Sequence, residues 1–341
     1  MNRIFTFFVF YFDKIFYVRQ YSTNKVKIHT NLKSFKATNP VVTIGTFDGV
    51  HLGHQKVILR LKEIAKKYNG ETVIFTFYPH PRLVTSADET NLRLLTTLDE
   101  KTKLFERFGI DHLVVYPFNK AFSELTYTEF VKQILVEKMN TKCLVVGYDH
   151  KFGKNREGGY EYLKTCAENY NFKVEKLDAL LVDDENVSST KIREALQSGD
   201  IKKANYYFGY EFSLFGIVIS GKQVGREIGF PTANIETSDR HKIIPGYGVY
   251  AVKVIVNNQN YSGMLNIGSR PTFNNNADNR SIEVNIFNFS DNIYNHEITL
   301  VFIDKIRDEQ KFVGVEMLVE QLRRDKIKAL EILQVPPPGG G

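Results

Sequence analysis

A chain of 341 residues with 45 Lys and Arg against 39 Asp and Glu carries a net charge of +6, and this length predicts two domains, each with its own core. The charge suits anionic ligands but is too mild and too dispersed to argue for nucleic acid. Cys143 and Cys166 are the only cysteines, and without a C-x-x-C pattern they exclude a thiolate zinc site and a disulfide framework, which predicts a reduced, cytoplasmic setting.

Residues 1–25 form an apolar, aromatic extension, "IFTFFVFYFDKIFYV", that Asp13 and Lys14 interrupt well short of a spanning length. It is a poor signal peptide, since "RQYSTNK" offers no small-residue cleavage site. A translated upstream or non-native stretch, a short interfacial anchor and a partly docked arm all stay open for it, and no stable membrane insertion is expected. From Val41 short apolar runs alternate with helical periodicity. "VVTIG" (41–45), "TVIFTF" (72–77), "HLVVYPF" (112–118) and "CLVVGYD" (143–149) read as strands buried on both faces. Between them, Val57, Ile58, Leu61, Ile64, Ala65 and Tyr68 share one helical face within 53–68. Thr97-x-x-Glu100 and Thr126-x-x-Glu129 have capping-box spacing and mark two further helix starts. The alternation predicts an α/β doubly wound parallel sheet over residues 26–185, whose ligands bind beyond the carboxyl ends of the strands.

Residues 186–210 read as a helical linker, with "SSTKIREALQSG" and "DIKKANYYFG" each ending in a glycine. Over 211–333 the pattern turns to β structure. "FSLFGIVIS", "GVYAVKVIV", "YSGMLNIG", "SIEVNIFNF" and "HEITLVFID" read as strands of a small antiparallel barrel, closed by a helix over roughly 311–333. The Pro/Gly-rich residues 334–341 read as a flexible tail.

Two stretches carry chemistry. In "GTFDGVHLGH", Gly45, Gly49 and Gly53 let the backbone approach a ligand closely. A helix start follows, with unpaired N–H groups and a positive dipole end for phosphates. His51 and His54 can donate to a triphosphate, although a histidine pair that merely caps a helix has the same spacing. In "GKQVGREIGFPTANI", Gly221 and Gly225 flank Lys222 and Arg226, so the backbone can fold around a polyphosphate beside cations. Thr232 and Asn234 supply oxygen ligands suited to Mg²⁺ on a nucleotide. A polar turn with solvated cations has the same composition.

"GTFDGVHLGH" resembles the nucleotide-binding signature of the class I nucleotidyltransferase superfamily, in the form used by bacterial FAD synthetases. "FYPHPR" is similar to that family's PHP loop, "VVGYDHKFGKNREGG" to its V-G-x-D-x-x-F-G segment, and "VSSTKIR" to its S-S-T-x-I-R motif. G-x-x-x-G-R-x-x-G-F-P-T-A-N resembles the riboflavin kinase signature, and "NIGSRPTF", "SIEVNIFNF" and "IRDEQKF" match further segments in order. The resemblance implies a bifunctional riboflavin kinase/FMN adenylyltransferase that uses ATP in both domains, needs Mg²⁺, and binds riboflavin, FMN and FAD. It assigns ATP in the adenylyltransferase to Gly45, Phe47, Asp48, Gly49, Gly53, Ser188, Ser189, Thr190 and Arg193, with His51 and His54 catalytic. Flavin there falls to Pro79, His80, Pro81, Asp149 and Phe152. In the kinase it implies ATP at Gly221, Lys222, Gly225 and Arg226, Mg²⁺ at Thr232 and Asn234, flavin near Arg307, and Glu283 as catalytic base.

Position 150 is His where the family more often has Phe. Asn285 and Asn295 replace a common His and Gly and are read as lying off the chemistry. Family members typically begin near "VKIHTNLKSF", which makes Val26 a candidate start. An aminoacyl-tRNA synthetase-like enzyme shares H-x-G-H, but a K-M-S-K-S-type loop is missing. Nor does the barrel sequence carry a basic run with stacking aromatics for RNA. A regulatory flavoprotein without turnover is the other competing class, and the reactive residues of both halves argue against it. Oligomerisation is not readable from the sequence.

Overall fold

The structure, a computed structural model, describes residues 25–85, 92–148, 151–154, 157–178, 185–221, 224–269 and 280–334, together with the short strand pairs Tyr11–Phe12 with Ile15–Phe16 and Leu181–Val182 with Glu185–Asn186. Asp149, His150 and Lys222 lie outside the described residues, as do residues 270–279, the tail from 335 on and most of the extension 1–25. The chain divides into two compact units, Met1–Ser189 and Thr190–Gly341.

The first unit is built on a six-stranded sheet. Its strands are β1 (Lys27–His29), β2 (Val41–Ile44), β3 (Thr72–Tyr78), β4 (His112–Pro117), β5 (Cys143–Val146) and β6 (Lys173–Lys176). All pairs are parallel and the order is β1-β4-β3-β2-β5-β6. Helices α1 (Leu52–Lys67), α2 (Leu98–Phe108) and α3 (Tyr160–Tyr170) lie among them in the chain. Every residue of β2 and β5 is buried, as strands covered on both faces require. The strand order reverses between β2 and β5, so the crevice at their carboxyl ends is where the topology favours a ligand.

Helix α1 buries Leu52, Gln55, Ile58, Leu61, Ile64 and Ala65, a face slightly rotated from the expected one. Thr97 and Glu100 form the full reciprocal capping box at the start of α2. The Thr126 box also forms, but its helix Tyr127–Phe130 runs on as a wider π-helical stretch, Val131–Val136. Strand β5 stops at Val146, short of the expected 149. The edge strands β1 and β6 escape the sequence pattern, because an edge tolerates the polar residues of "KIH" and "KVEK".

Helix α4 (Ser189–Ser198) crosses the division between the units, and α5 (Ile201–Phe208) follows within the second. The stretch read as a linker is thus counted largely into the second unit. There Asn205 of α5 donates to the Phe302 carbonyl and accepts from the Phe212 N–H. A closed antiparallel barrel follows: β7 (Ser213–Ile219), β8 (Ala233–Thr237), β9 (Gly248–Val256), β10 (Gln259–Ser269), β11 (Arg280–Ile286) and β12 (Glu297–Arg307), in the order β7-β8-β11-β10-β9-β12. Helix α6 (Val315–Ile332) starts at Gly314 rather than 311 and sets Ala329 and Leu330 against Val249, Ala251, Met264 and Phe287.

One expectation is corrected here. Five barrel strands are legible in the sequence, and the sixth, β8, comes from "ANIET", which begins inside the stretch read as a loop around a polyphosphate. Pro231 and Asn234 look like turn residues locally, but pairing with β7 and β11 on either side holds the segment extended. No helix among the described residues is long and apolar enough to cross a membrane.

Candidate active sites

The loop after β2 is conformationally demanding. Phe47 (φ 47°), Gly49 (φ 85°) and Val50 (φ 37°) all have left-handed backbone, and a β-branched residue there is a genuine outlier. Such residues cost about 1–3 kcal/mol each and persist only where the surroundings over-determine them. Here they do. The buried Asp48 carboxylate accepts from the Leu95 and Thr96 N–H groups at 2.9 and 3.2 Å. Gly49 N–H donates to Thr96 Oγ1 at 3.0 Å, and Gln55 Nε2 to the Val50 carbonyl at 2.9 Å. Lys101 Nζ donates to the Thr46 carbonyl at 2.6 Å.

The loop feeds into α1, whose first turn holds no acidic residue and whose last turn holds Lys66 and Lys67. His51 is its N-cap and is buried; its ring stacks on His54 at 3.8 Å between centroids. Burial first, then the neighbouring His51 and Lys101, hold the His54 imidazole well below the ordinary histidine range. His54 Nδ1 is enclosed without a hydrogen-bond partner among the described residues. A proton there would be stranded, which favours the neutral ring protonated at Nε2.

Phe47 is buried with its ring against His54 and Phe105, so the side chains of Phe47 and Asp48 serve the loop from within. Ser189 Oγ donates to the Asp48 carbonyl at 2.9 Å and brings Ser189 to the loop's back. Ser188 and Ser189 are half-buried, while Thr190 and Arg193 belong to the second unit. Gly53 has no room for a side chain without pressing on the His51 ring. Pro79, His80 and Pro81 leave the carboxyl end of β3, the strand paired beside β2, and so emerge on the same edge as the β2–α1 loop. Phe118 N–H ties to the Tyr78 carbonyl at 3.1 Å. Phe152 is 9% exposed, packed with Phe130 in the core, and steadies its loop from inside.

In the barrel, Glu283 sits half-buried on β11 between Asn234 of β8 and Asn266 of β10. The strand that the sequence hides therefore delivers Asn234 directly beside the expected base. A Cβ at Gly221 would come within 2.0 Å of Asn234 Nδ2, and one at Gly225 within 2.3 Å of the Phe230 carbonyl. These two glycines allow the segment to close on β8, and Phe230 N–H completes the turn to Gly225 O at 2.7 Å. Arg226 is exposed on the short turn Val224–Glu227, and Thr232 is exposed just before β8. Arg307 spends its guanidinium on Asp325 of α6, through Nε at 2.9 and 3.0 Å and Nη2 at 2.8 Å. Its other contacts are the Asp308 carbonyl and the face of Phe312.

Family models settle what these halves are: FAD synthetase matches residues 34–191 and riboflavin kinase residues 208–333. The chain belongs to the bifunctional riboflavin kinase/FMN adenylyltransferase family. It is 39% identical over 293 residues to the family member of Bacillus subtilis (strain 168), covering 85% of this chain and 91% of that one. With the Escherichia coli (strain K12) member it shares 33% over 309 residues, or 90% and 97% of the two chains. A crystal structure from Streptococcus pneumoniae, described as a macrolide-efflux protein, is 31% identical and superposes with a TM-score of 0.81 over 89% of this chain and 98% of that one. As a riboflavin kinase/FMN adenylyltransferase, the chain phosphorylates riboflavin to FMN and adenylylates FMN to FAD, with ATP as co-substrate in both steps.

Sequence reasoning missed several residues around both sites. Thr96 and Lys101 brace the β2–α1 loop from 47 and 55 positions downstream of their partners, and only the capping box beside them hints at their element. Asn285, read as lying off the chemistry, is buried and donates to the Pro231 carbonyl at 2.7 Å, one residue before Thr232. Asp325 looks like one more charge on an amphipathic helix until its burial is seen.

Proposed function

We propose that the two reactions are carried by separate sets of residues: adenylyl transfer by the β2–α1 loop over residues 26–185, and phosphoryl transfer by the β8–β11 strand pair over 211–333. In the first, a phosphate oxygen of FMN attacks the α-phosphorus of ATP and pyrophosphate leaves. The α1 N-terminus and His54, a neutral donor, stabilise the charge that gathers on the leaving group. His51 shapes this corner as N-cap and stacking partner. Ser188 and Ser189 add ATP contacts within the first unit, and the PHP loop receives the flavin. The half-buried rings of Phe77, Phe118 and Phe122, 5.5–5.7 Å apart, offer it an aromatic surface.

In the second, Glu283 accepts the proton of the ribityl hydroxyl as its oxygen attacks the γ-phosphorus and ADP leaves. The close fit of Gly221 against Asn234 supports a nucleotide cradle here. Thr232 and Asn234, neutral oxygen donors, suit a Mg²⁺ that arrives with the nucleotide. When bound, the ion neutralises phosphate charge. Arg226 adds a cation, and Arg307 acts on the flavin site by fixing the segment that leads into α6. The two buried, free cysteines support a reducing, cytoplasmic setting.

The observation that carries this reading is the register placing Glu283 opposite Asn234. Glu283→Gln is expected to lower FMN formation by about 10²–10⁴-fold while FAD formation from supplied FMN continues. His54→Ala is expected to do the reverse, lowering FAD formation by about 10²–10³-fold. Either variant stopping both reactions while still folded would overturn the division.

A further inference from the structure

Lys101 projects from α2 toward the floor of the phosphate loop and is only 7% exposed. Its Nζ bond to the Thr46 carbonyl enters the loop immediately before its left-handed residues. A carbonyl needs no charge to accept a hydrogen bond, so a neutral donor would serve that purpose. Removing an ammonium from water costs several kcal/mol, and burial pushes the Lys101 pKa down while the Asp48 carboxylate pulls it up. An ammonium there, 2.6 Å from the Thr46 carbonyl and so one residue before the Phe47 ring that packs on His54, acts on its neighbours. Among the described residues, the charged or titratable groups that act on His54 are His51, stacked on it from the N-cap, and Lys101 from α2; the Asp48 carboxylate of the loop acts on Lys101. A bound triphosphate draws an imidazole toward protonation, and a fixed cation close by opposes that pull.

Resting on the adenylyl-transfer reading above, we propose that Lys101 is a positioning residue for that reaction: its buried ammonium clamps the Thr46 carbonyl beneath the phosphate loop and keeps His54 a neutral donor to the departing pyrophosphate. Positive charge beside His54 disfavours the imidazolium, so removing it lets His54 protonate at higher pH.

The test compares Lys101→Met and Lys101→Arg in the full chain. FAD formation from FMN is followed against pH, with riboflavin phosphorylation as a control in the same polypeptide. Lys101→Met is expected to lower kcat for FAD by about 10–100-fold with a smaller change in KM for ATP, and to move the acid limb of the profile to higher pH by about half a unit or more. Lys101→Arg keeps the charge and is expected to retain the parent's acid limb. An acid limb unmoved in the Met variant overturns the proposal and leaves Lys101 a structural strut. If that variant makes no measurable FAD, an NMR titration of His54 in the folded protein decides: a higher His54 pKa supports the proposal and an unchanged one sinks it. A parent enzyme that made no FAD would fail the adenylyl-transfer reading instead, and the titration would still report on Lys101.

Discussion

Asn234 shows how much one residue can depend on an absent side chain. Its amide lies where a Cβ on Gly221 would be, 2.0 Å from Nδ2 and 2.6 Å from Cγ, while its backbone is held in ladders on both sides. Gly221→Ala therefore pushes the side chain off its rotamer, which costs about 0.5–1.5 kcal/mol. KM for ATP in FMN formation is expected to rise up to roughly tenfold, with FAD formation from FMN unchanged; steady-state assays of the two half-reactions check this. Asn285 acts one step further out. Asn285→Ala removes the hydrogen bond to the Pro231 carbonyl, a loss of about 0.5–1.5 kcal/mol. It should appear as a lower melting temperature together with slower FMN formation. That the side chain before Thr232 is held by residue 285 was not legible in the sequence, because a hydrogen bond across 54 positions leaves no periodicity behind.

Among the elements, α6 is fastened by an ion pair as well as by its apolar packing. Asp325 is 1% exposed, takes the Arg307 guanidinium in a fork, and accepts further from Gln321 Nε2 at 2.9 Å. Removing Asp325 takes these charge-assisted bonds from an Arg307 that stays partly exposed. Asp325→Ala is expected to destabilise the barrel unit by about 1.5–3 kcal/mol, read as a lower denaturant midpoint for that unit. Helix α2 is held at its start by the Thr97–Glu100 box, which the sequence announces by spacing alone. Thr97→Ala should cost about 1 kcal/mol, and with it some of the rigidity of Lys101 one turn on. The two elements illustrate the difference in legibility. A capping box involves residues three apart and is written in the sequence, whereas the Asp325 clamp depends on which helix face meets β12.

At the scale of the whole molecule, the first unit should carry a pH dependence set by its histidines. Burial, then His112 and Lys27, lower the His29 pKa, and His54 is lowered for the reasons above. A histidine whose pKa is lower folded than unfolded binds protons more tightly in the unfolded chain. The first unit is therefore expected to lose stability as pH falls from about 6.5, the unperturbed histidine value, toward the folded values. Glu71 adds to the loss at lower pH. Burial raises its carboxyl, but the Thr38 N–H, His112 and Lys27 outweigh that and hold it below the usual range, so its contribution disappears once it protonates. Thermal melts between pH 7 and 5 check this, and a first-unit transition that held steady would contradict it.

What the amino-acid order determined by itself was local: two contiguous stretches that resemble family signatures, the strand–helix alternation, the capping boxes and five of the barrel strands. Each depends on residues only a few positions apart, within reach of backbone geometry and hydrophobic period. Tertiary structure decided the rest. It turned Phe47 and Asp48 inward, made a strand of "ANIET", set Asn234 beside Glu283, and brought Lys101 under a loop that begins at Thr46. Those outcomes follow from the need of buried polar groups to find partners and of strand edges to pair, and the partners are chosen only when distant segments meet.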